Sequence, residues 1–280
     1  MFERYVAMGD SFTEGVGDVR PDGGLRGWAD LVALGLAAAS AAQHDQTGAI
    51  SPADDATGPE KTVGPTSPGD TGPAPFAYAN LAIRGKLLGP IVDGQLDDAL
   101  ALDPDLLSVC GGGNDVMRPR VQMSAVVGHM HRVVDRAEAQ GVHVMVLVGA
   151  NPTRHLPLGS LIERRGERFT QACRDAFVRP GITFVDNWAD TELAELRFWS
   201  EDRMHLNSLG HARVAANVLN ALGLPVPAAE IAAATPASQV RTPAYYREHV
   251  MPWIGRRLTG RSSGDGRTAK RPTLLPVAAP

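Results

Sequence analysis

Four short stretches of the chain carry side chains that could do acyl chemistry together. Gly9-Asp10-Ser11-Phe12 offers a hydroxyl, and the run from Asn80 to Gly85 ends in a glycine. Gly111 to Asp115, read GGGND, offers the carboxamide of Asn114, and Asp202-Arg203-Met204-His205 sets a carboxylate three residues before an imidazole. A hydroxyl becomes a nucleophile at neutral pH only when a base takes its proton and a third group orients that base. Asp202 can reach back to His205 Nδ1–H from the same turn, which leaves Nε2 free to take the proton of Ser11. The resulting oxyanion would need donors, and the backbone N–H groups of Ser11 and Gly85 with the Asn114 amide could supply them. Glycine suits position 85 because a side chain would crowd the backbone's approach to the substrate oxygen. Asparagine suits position 114 because it donates without a charge that competes for the proton.

Each stretch also has an ordinary reading. Ser11 with Glu14 fits the capping box S-x-x-E at a helix start. Gly85 fits a turn residue, and GGGND fits a tight strand-to-helix connection. GGGND lacks both the Lys-Ser/Thr of a P-loop and the G-x-G-x-x-G spacing, which disfavours nucleotide binding. His129, His131, His143 and His155 have no cysteine or carboxylate partner at ligand spacing, so no metal is expected. Cys110 and Cys173 sit in apolar contexts and read as reduced, buried thiols.

Alternating short apolar runs and longer helical patterns would have to position these groups. RYVAM (4–8), FAYANLAI (76–83), DLLSVC (105–110), VHVMVLVG (142–149) and ITFVDN (182–187) read as strands. Helices are expected at 27–39, 91–102, 124–140, within 158–178 and at about 207–222. Five strands with helical crossovers imply a doubly wound parallel α/β domain, whose ligands bind beyond the carboxyl ends of the strands. The four stretches follow the first, second, third and fifth strands. By the same logic Asp10, Arg154 in the loop after the fourth strand, and Trp199 before Asp202 are candidates to contact substrate.

Taken in order, G-D-S-F at 9–12, N-x-A-x-x-G at 80–85, G-x-N-D at 112–115 and D-x-x-H at 202–205 resemble the SGNH hydrolases of the GDSL esterase/lipase group. The resemblance spans most of residues 4–223. It implies a flavodoxin-like three-layer α/β/α sandwich on a five-stranded parallel sheet. It further implies ester or thioester hydrolysis without cofactor or metal, with Ser11, Gly85, Asn114 and His205 in the four named roles. The wording of the blocks, with the Tyr-Tyr and Trp-Ile-Gly-Arg-Arg tail, is similar to an actinobacterial, cytoplasmic branch. Two further classes stay open: an acyltransferase on the same Ser-His machinery, and a binding module that does no catalysis.

Composition narrows the partners. Apolar residues make up 44% and charged residues 21% of 280, ordinary globular usage, and the net charge of −4 gives no pull toward nucleic acid. No basic segment followed by an apolar stretch opens the chain, and no apolar run could span a membrane, so a cytoplasmic protein acting on a small ester is expected. Residues 1–225 read as the catalytic domain, interrupted at 43–75 by a Pro-, Gly- and Asp-rich insertion expected to be mobile. Residues 226–258 read as an extension packing on that domain, and 259–280 as a disordered tail. No apolar run suggests a long acyl tunnel, so short acyl groups are favoured.

Overall fold

The structure, a computed structural model, describes residues 1–48, 75–156, 159–226, 240, 242–252, 255, 259 and 262–279. Its strands are β1 (Arg4–Gly9), β2 (Ala77–Asn80), β3 (Leu106–Cys110), β4 (His143–Val148), β5 (Ile182–Asp186) and β6 (Arg271–Pro276). They form one sheet in the order β5-β4-β3-β1-β2-β6. The helices are α1 (Ser11–Glu14), α2 (Trp28–Gly48), α3 (Leu88–Ala101), α4 (Gly113–Val116), α5 (Met123–Glu138), α6 (Gly159–Phe177), α7 (Ser208–Ala221) and α8 (Pro243–Tyr245).

The pairs among β1 to β5 are parallel, whereas β6 runs antiparallel to β2, with Tyr78 opposite Leu275. The expected five-stranded, all-parallel flavodoxin-like sheet is therefore corrected to a mixed sheet of six strands, with eight helices among the described residues. The sixth strand comes from the tail expected to be disordered. Its sequence, RPTLLP, holds two prolines, which remove ladder donors and argue against a central strand but are tolerated at a sheet edge. In that position β6 covers the edge that β2 would otherwise leave unpaired. The insertion at 43–75 lies, apart from its two ends, outside the described residues, as does 227–239 of the extension.

β1, β3 and β4 read as continuous apolar runs because both faces of the sheet are covered there. Tyr5 and Ala7 of β1 enter one core with Trp28 and Leu36 of α2 and Val218 of α7. Val6 and Met8, pointing the other way by the two-residue period of a strand, enter the other with Leu88 of α3, Met130 of α5 and Phe177 of α6. β2 is shorter than FAYANLAI suggests because Asn80 turns the chain. Its Oδ1 accepts the Ala82 N–H at 3.0 Å, and its Nδ2 donates to the Thr13 carbonyl at 2.9 Å. That Asx-type turn fixes the start of the segment carrying Gly85.

Candidate active site

β1 ends at Gly9, whose backbone N–H and C=O are both satisfied by the buried Gln95 side chain, at 2.9 and 3.0 Å. A Cβ at Gly9 would stand 2.3 Å from Thr13 Oγ1 and 2.6 Å from the Cys110 carbonyl, so only glycine permits this approach of β1 to β3. The capping that is the ordinary reading of Ser11 falls instead to Asp10, whose Oδ1 accepts the Phe12 N–H at 3.1 Å. The Ser11 hydroxyl stands 3.0 Å from His205 Nε2.

His205 Nδ1 lies 2.5 Å from Asp202 Oδ2. The other oxygen of Asp202 accepts the Met204 and His205 N–H groups at 2.9 and 3.0 Å and the Ser200 hydroxyl at 2.9 Å. The D-x-x-H spacing thus makes a closed turn in which one carboxylate oxygen holds the backbone and the other holds the imidazole. Closing it places Arg203 at φ +58°, a left-handed conformation that costs a residue with a Cβ about 1–2 kcal/mol. The buried Arg203 guanidinium lies 4.9 Å from the centre of the Tyr245 ring, and the Tyr245 hydroxyl reaches the Asp202 carbonyl at 3.5 Å. The extension expected at 226–258 therefore touches the turn that carries His205.

Burial alone would push the His205 imidazole down, but the charge and hydrogen bond of Asp202 outweigh it and hold the imidazole above its ordinary value. Burial likewise opposes ionisation of Asp202. Its bonds to His205 and to the Met204 and His205 N–H groups prevail and hold it well below the usual carboxylate range. An ionised Asp202 accepting from Nδ1–H leaves the Nε2 lone pair facing Ser11. Asp10 differs: burial raises its carboxyl to about 6.

Gly85 sits at φ +74° beside Arg84, whose N–H donates to Glu14 Oε2 at 2.8 Å. The Arg84 guanidinium also grips the Glu14 carboxylate, Nη2 to Oε1 at 2.6 Å and Nε to Oε2 at 3.0 Å. Glu14, read from sequence as the far end of a capping box, is thus the tie between the Ser11 turn and the Gly85 segment. Asn114 lies two residues after Gly112, whose φ of +94° and closeness to Phe169, which would stand 2.6 Å from a Cβ there, exclude a side chain. The Asn114 amide donates to Asp10 Oδ2 and to the Lys86 carbonyl, each at 3.0 Å.

The four stretches border one cleft of about 180 Å³, which Asp10 also lines. Beyond Ser11, Gly85, Asn114 and His205 its walls are largely apolar, with Val116, Met117, Ile162, Phe169 and Trp188. Two candidate contact residues stand elsewhere. Arg154 is exposed and absent from the cleft lining, and Trp199 is buried in the core with its indole N–H on the Leu193 carbonyl at 2.7 Å. Sequence reasoning missed Gln95, Tyr245 and the serines Ser262 and Ser263, which also line the cleft. The Ser262 hydroxyl donates to the Gly85 carbonyl at 3.0 Å, a contact across 177 residues with no local sequence signal.

Burial pushes both thiols up, Cys173 to about 12 and Cys110 well above its usual value, so neither is poised to react. His211 is pushed down to about 4 by burial and accepts the Trp28 N–H at 3.2 Å, a neutral core imidazole. Among the described residues no group of three His, Cys, Asp or Glu could hold a metal, and no helix is long and apolar enough to cross a membrane.

Comparison with known proteins bears on the family and the fold. The family model described as "GDSL-like Lipase/Acylhydrolase family" matches residues 64–213, which include the Gly85, Asn114 and His205 segments and begin after Ser11. None of the curated proteins matches the chain. Among solved structures, the lipase Lip_vut3 from a goat rumen metagenome aligns with a TM-score of 0.55 at 16% identity, covering 78% of this chain and 96% of its own. An acetyl xylan esterase from Geobacillus stearothermophilus aligns with a TM-score of 0.54 at 18% identity, covering 81% and 97%. LAE5, an alpha/beta hydrolase from the metagenome of Lake Arreo, Spain, gives 0.54 at 17%, covering 79% and 95%. At such identities these likenesses speak to the fold.

Proposed function

The chain belongs to the GDSL-like lipase/acylhydrolase family, and from that premise we propose that it cleaves carboxylic esters through an acyl-enzyme on Ser11. The observation that carries this reading is the unbroken line from Asp202 through His205 to Ser11, with contacts of 2.5 and 3.0 Å. Ser11 Oγ attacks the ester carbonyl while its proton passes to His205 Nε2, and Asp202 stabilises the imidazolium. The oxyanion is held by the N–H groups of Ser11 and Gly85 and by the Asn114 amide, which turns one hydrogen from its resting partners. Collapse breaks the ester C–O bond, and the departing alkoxide takes the proton from His205. Water then attacks the acyl carbonyl with His205 as base, releasing the acid and restoring Ser11.

The acyl cleft, at about 180 Å³, falls below the roughly 300–1,000 Å³ of sites that enclose drug-sized ligands, which favours short acyl groups. The wording of the motifs is the ground for the actinobacterial-type cytoplasmic branch, and the ordinary composition with a net charge of −4 is the ground for a small-molecule ester as substrate. The test is p-nitrophenol release from acetate through decanoate esters by the native chain and by Ser11→Ala. The expected result is a maximum at the shortest acyl chains that falls to background in Ser11→Ala. Undiminished turnover by that variant would refute the nucleophile, and a maximum at decanoate would refute the size argument.

A further inference from the structure

One wall of the acyl cleft carries a cation that no described residue neutralises. Arg118 borders the cleft two residues beyond Val116 and is half-buried. Among the described residues no carboxylate or carbonyl pairs with its guanidinium, and its Nε is buried without a hydrogen-bond partner. A buried donor left unpaired is costly, the more so on a charged group, and an acceptor brought by a ligand would satisfy it. The carboxyls at hand are already engaged. Asp10, which borders the same cleft, gives one oxygen to the Phe12 N–H and the other to the Asn114 amide. Asp115 feels the Arg118 charge but gives its Oδ2 to the Leu88 N–H at 3.0 Å.

A second cation stands behind the first. Arg165 of α6 donates from Nε to the Val116 carbonyl at 2.8 Å, and from Nη2 to the carbonyls of Arg118 and Val121 at 2.8 and 2.9 Å. These bonds fix the loop that presents Arg118, yet carbonyls cancel no formal charge, and among the described residues no carboxylate pairs with Arg165. Arg84 is the contrast, since the Glu14 carboxylate neutralises it. In a chain of net charge −4, two uncompensated cations thus adjoin at one wall of a cleft that is otherwise largely apolar.

The backbone relates that wall to the oxyanion. α4 runs from Gly113 to Val116, Met117 keeps a right-handed helical conformation, and the Arg118 N–H donates to the Asp115 carbonyl at 2.9 Å. Asn114 and Arg118 therefore stand about one turn apart, about 6 Å along the axis at 1.5 Å per residue. Both border the acyl cleft, whereas Arg118 is absent from the opening on the Asp202 side of His205. A carbonyl oxygen held at Asn114 leaves a few methylenes of an acyl chain to cross that distance along the apolar wall and end at the guanidinium. Apolar walls with one placed polar group bind a ligand in a single orientation.

We propose that Arg118, with Arg165 behind it, binds a carboxylate at the far end of the acyl group, so that the ester cleaved is a half-ester of a short dicarboxylic acid. This rests on the acyl-enzyme reading above. The bond broken is the same ester C–O bond, and the acid released is the dicarboxylate.

The full chain would be assayed, by chromatography of the acids released, with monoethyl glutarate, ethyl 5-methylhexanoate and 4-acetoxybutyrate. The second replaces the carboxylate by a neutral branched end of similar shape, and the third carries the carboxylate on the alcohol. The glutarate half-ester should exceed the branched ester by about tenfold or more in kcat/KM, since a site built to bond a group rejects the analogue lacking it. Arg118→Met should lower kcat/KM for the half-ester by about ten- to a hundredfold relative to the branched ester, the range of a lost charged hydrogen bond. Arg118→Lys, which keeps the charge without the planar fork, should fall between the two. Arg118→Glu should reverse the preference. Equal rates on the half-ester and the branched ester, a preference that survives Arg118→Met, equal losses on all three esters, or a dependence on Arg118 confined to 4-acetoxybutyrate would overturn the proposal. Ser11→Ala separates the two levels. If it is inactive and the native chain shows no preference that depends on Arg118, only the carboxylate site fails. If it retains activity, or the native chain cleaves none of the three, the acyl-enzyme reading fails. Calorimetric binding of monoethyl glutarate then decides the site alone: binding lost in Arg118→Met supports it, and binding that is absent or unchanged overturns it.

Discussion

The strand ends and the C-terminal segment converge on Ser11 by different means. At the strand ends the holding contacts are mostly buried: Gln95 on both polar groups of Gly9, Asn80 on the Thr13 carbonyl, and Glu14 on Arg84. The C-terminal segment reaches the same place nearer the surface. Lys270 Nζ donates to the Glu14 carbonyl at 2.9 Å and to Asp30 at 2.6 Å, Ser262 donates to Gly85, and the Arg271 guanidinium lies 5.5 Å from the centre of the Tyr78 ring. The first region presents the groups proposed to react, and the second fastens and walls the cleft around them. Substitutions in the first should therefore cost rate far more than stability, and substitutions among the fastenings of the second should do the reverse.

The sharpest break comes at Asp202. Asp202→Asn should lower kcat by up to about 10⁴, the size of the effect in a related triad, because the imidazole loses its tautomer and orientation. It also moves the pH profile. His205 must be neutral to act as base and is held above the ordinary imidazole value, so the acid limb of kcat/KM should lie above 6.5 and shift down in the variant. An unshifted limb would show that Asp202 does not set the base.

Asn114→Ala comes next, with a loss of about 10²–10³ in kcat and little change in melting temperature. Losses confined to KM would mean that the amide binds substrate without serving the oxyanion.

Asp10 is the exception among the strand-end residues, because its effect should appear as stability. Its carboxyl is raised from 3.8 to about 6, so the folded state binds the proton more tightly than the unfolded chain does. The associated stability is present below about pH 4 and is lost as pH rises through about 6, by about 3 kcal/mol in all. Asp10→Asn should flatten that loss in denaturant titrations across this range, and an unchanged slope would contradict it.

The smallest effect belongs to the surface fastening. Lys270→Met removes charge-assisted bonds worth about 1.5–3 kcal/mol and should lower the melting temperature with kcat little changed. A collapse of kcat at constant stability would erase the distinction between the two regions.

Much of the strand-end region is legible in sequence. The runs that became β1, β3 and β4 are apolar because both faces are covered, and the three-residue step from Asp202 to His205 closes into its turn by local geometry. The C-terminal region is not, for reasons its residues show. RPTLLP resembles a loop until an unpaired edge of β2 is available to it. Ser262 and Lys270 find partners 177 and 256 positions away, distances at which no local pattern survives. Glu14 shows the ambiguity in miniature, since the same spacing from Ser11 serves a capping box or an ion pair with Arg84, 70 residues distant. Trp199 stands next to the Asp202–His205 turn in sequence, yet its bulk and indole N–H are satisfied in the core rather than at the cleft.

The central claim is that Ser11 carries the acyl group, and rapid quenching of the native chain during turnover of an acetyl ester tests it most directly. Intact and peptide mass measurements should find one acetyl group, on Ser11, formed and lost at rates that account for turnover. Continued hydrolysis with the acyl group on another residue, or with none on the chain at any time, would contradict the account.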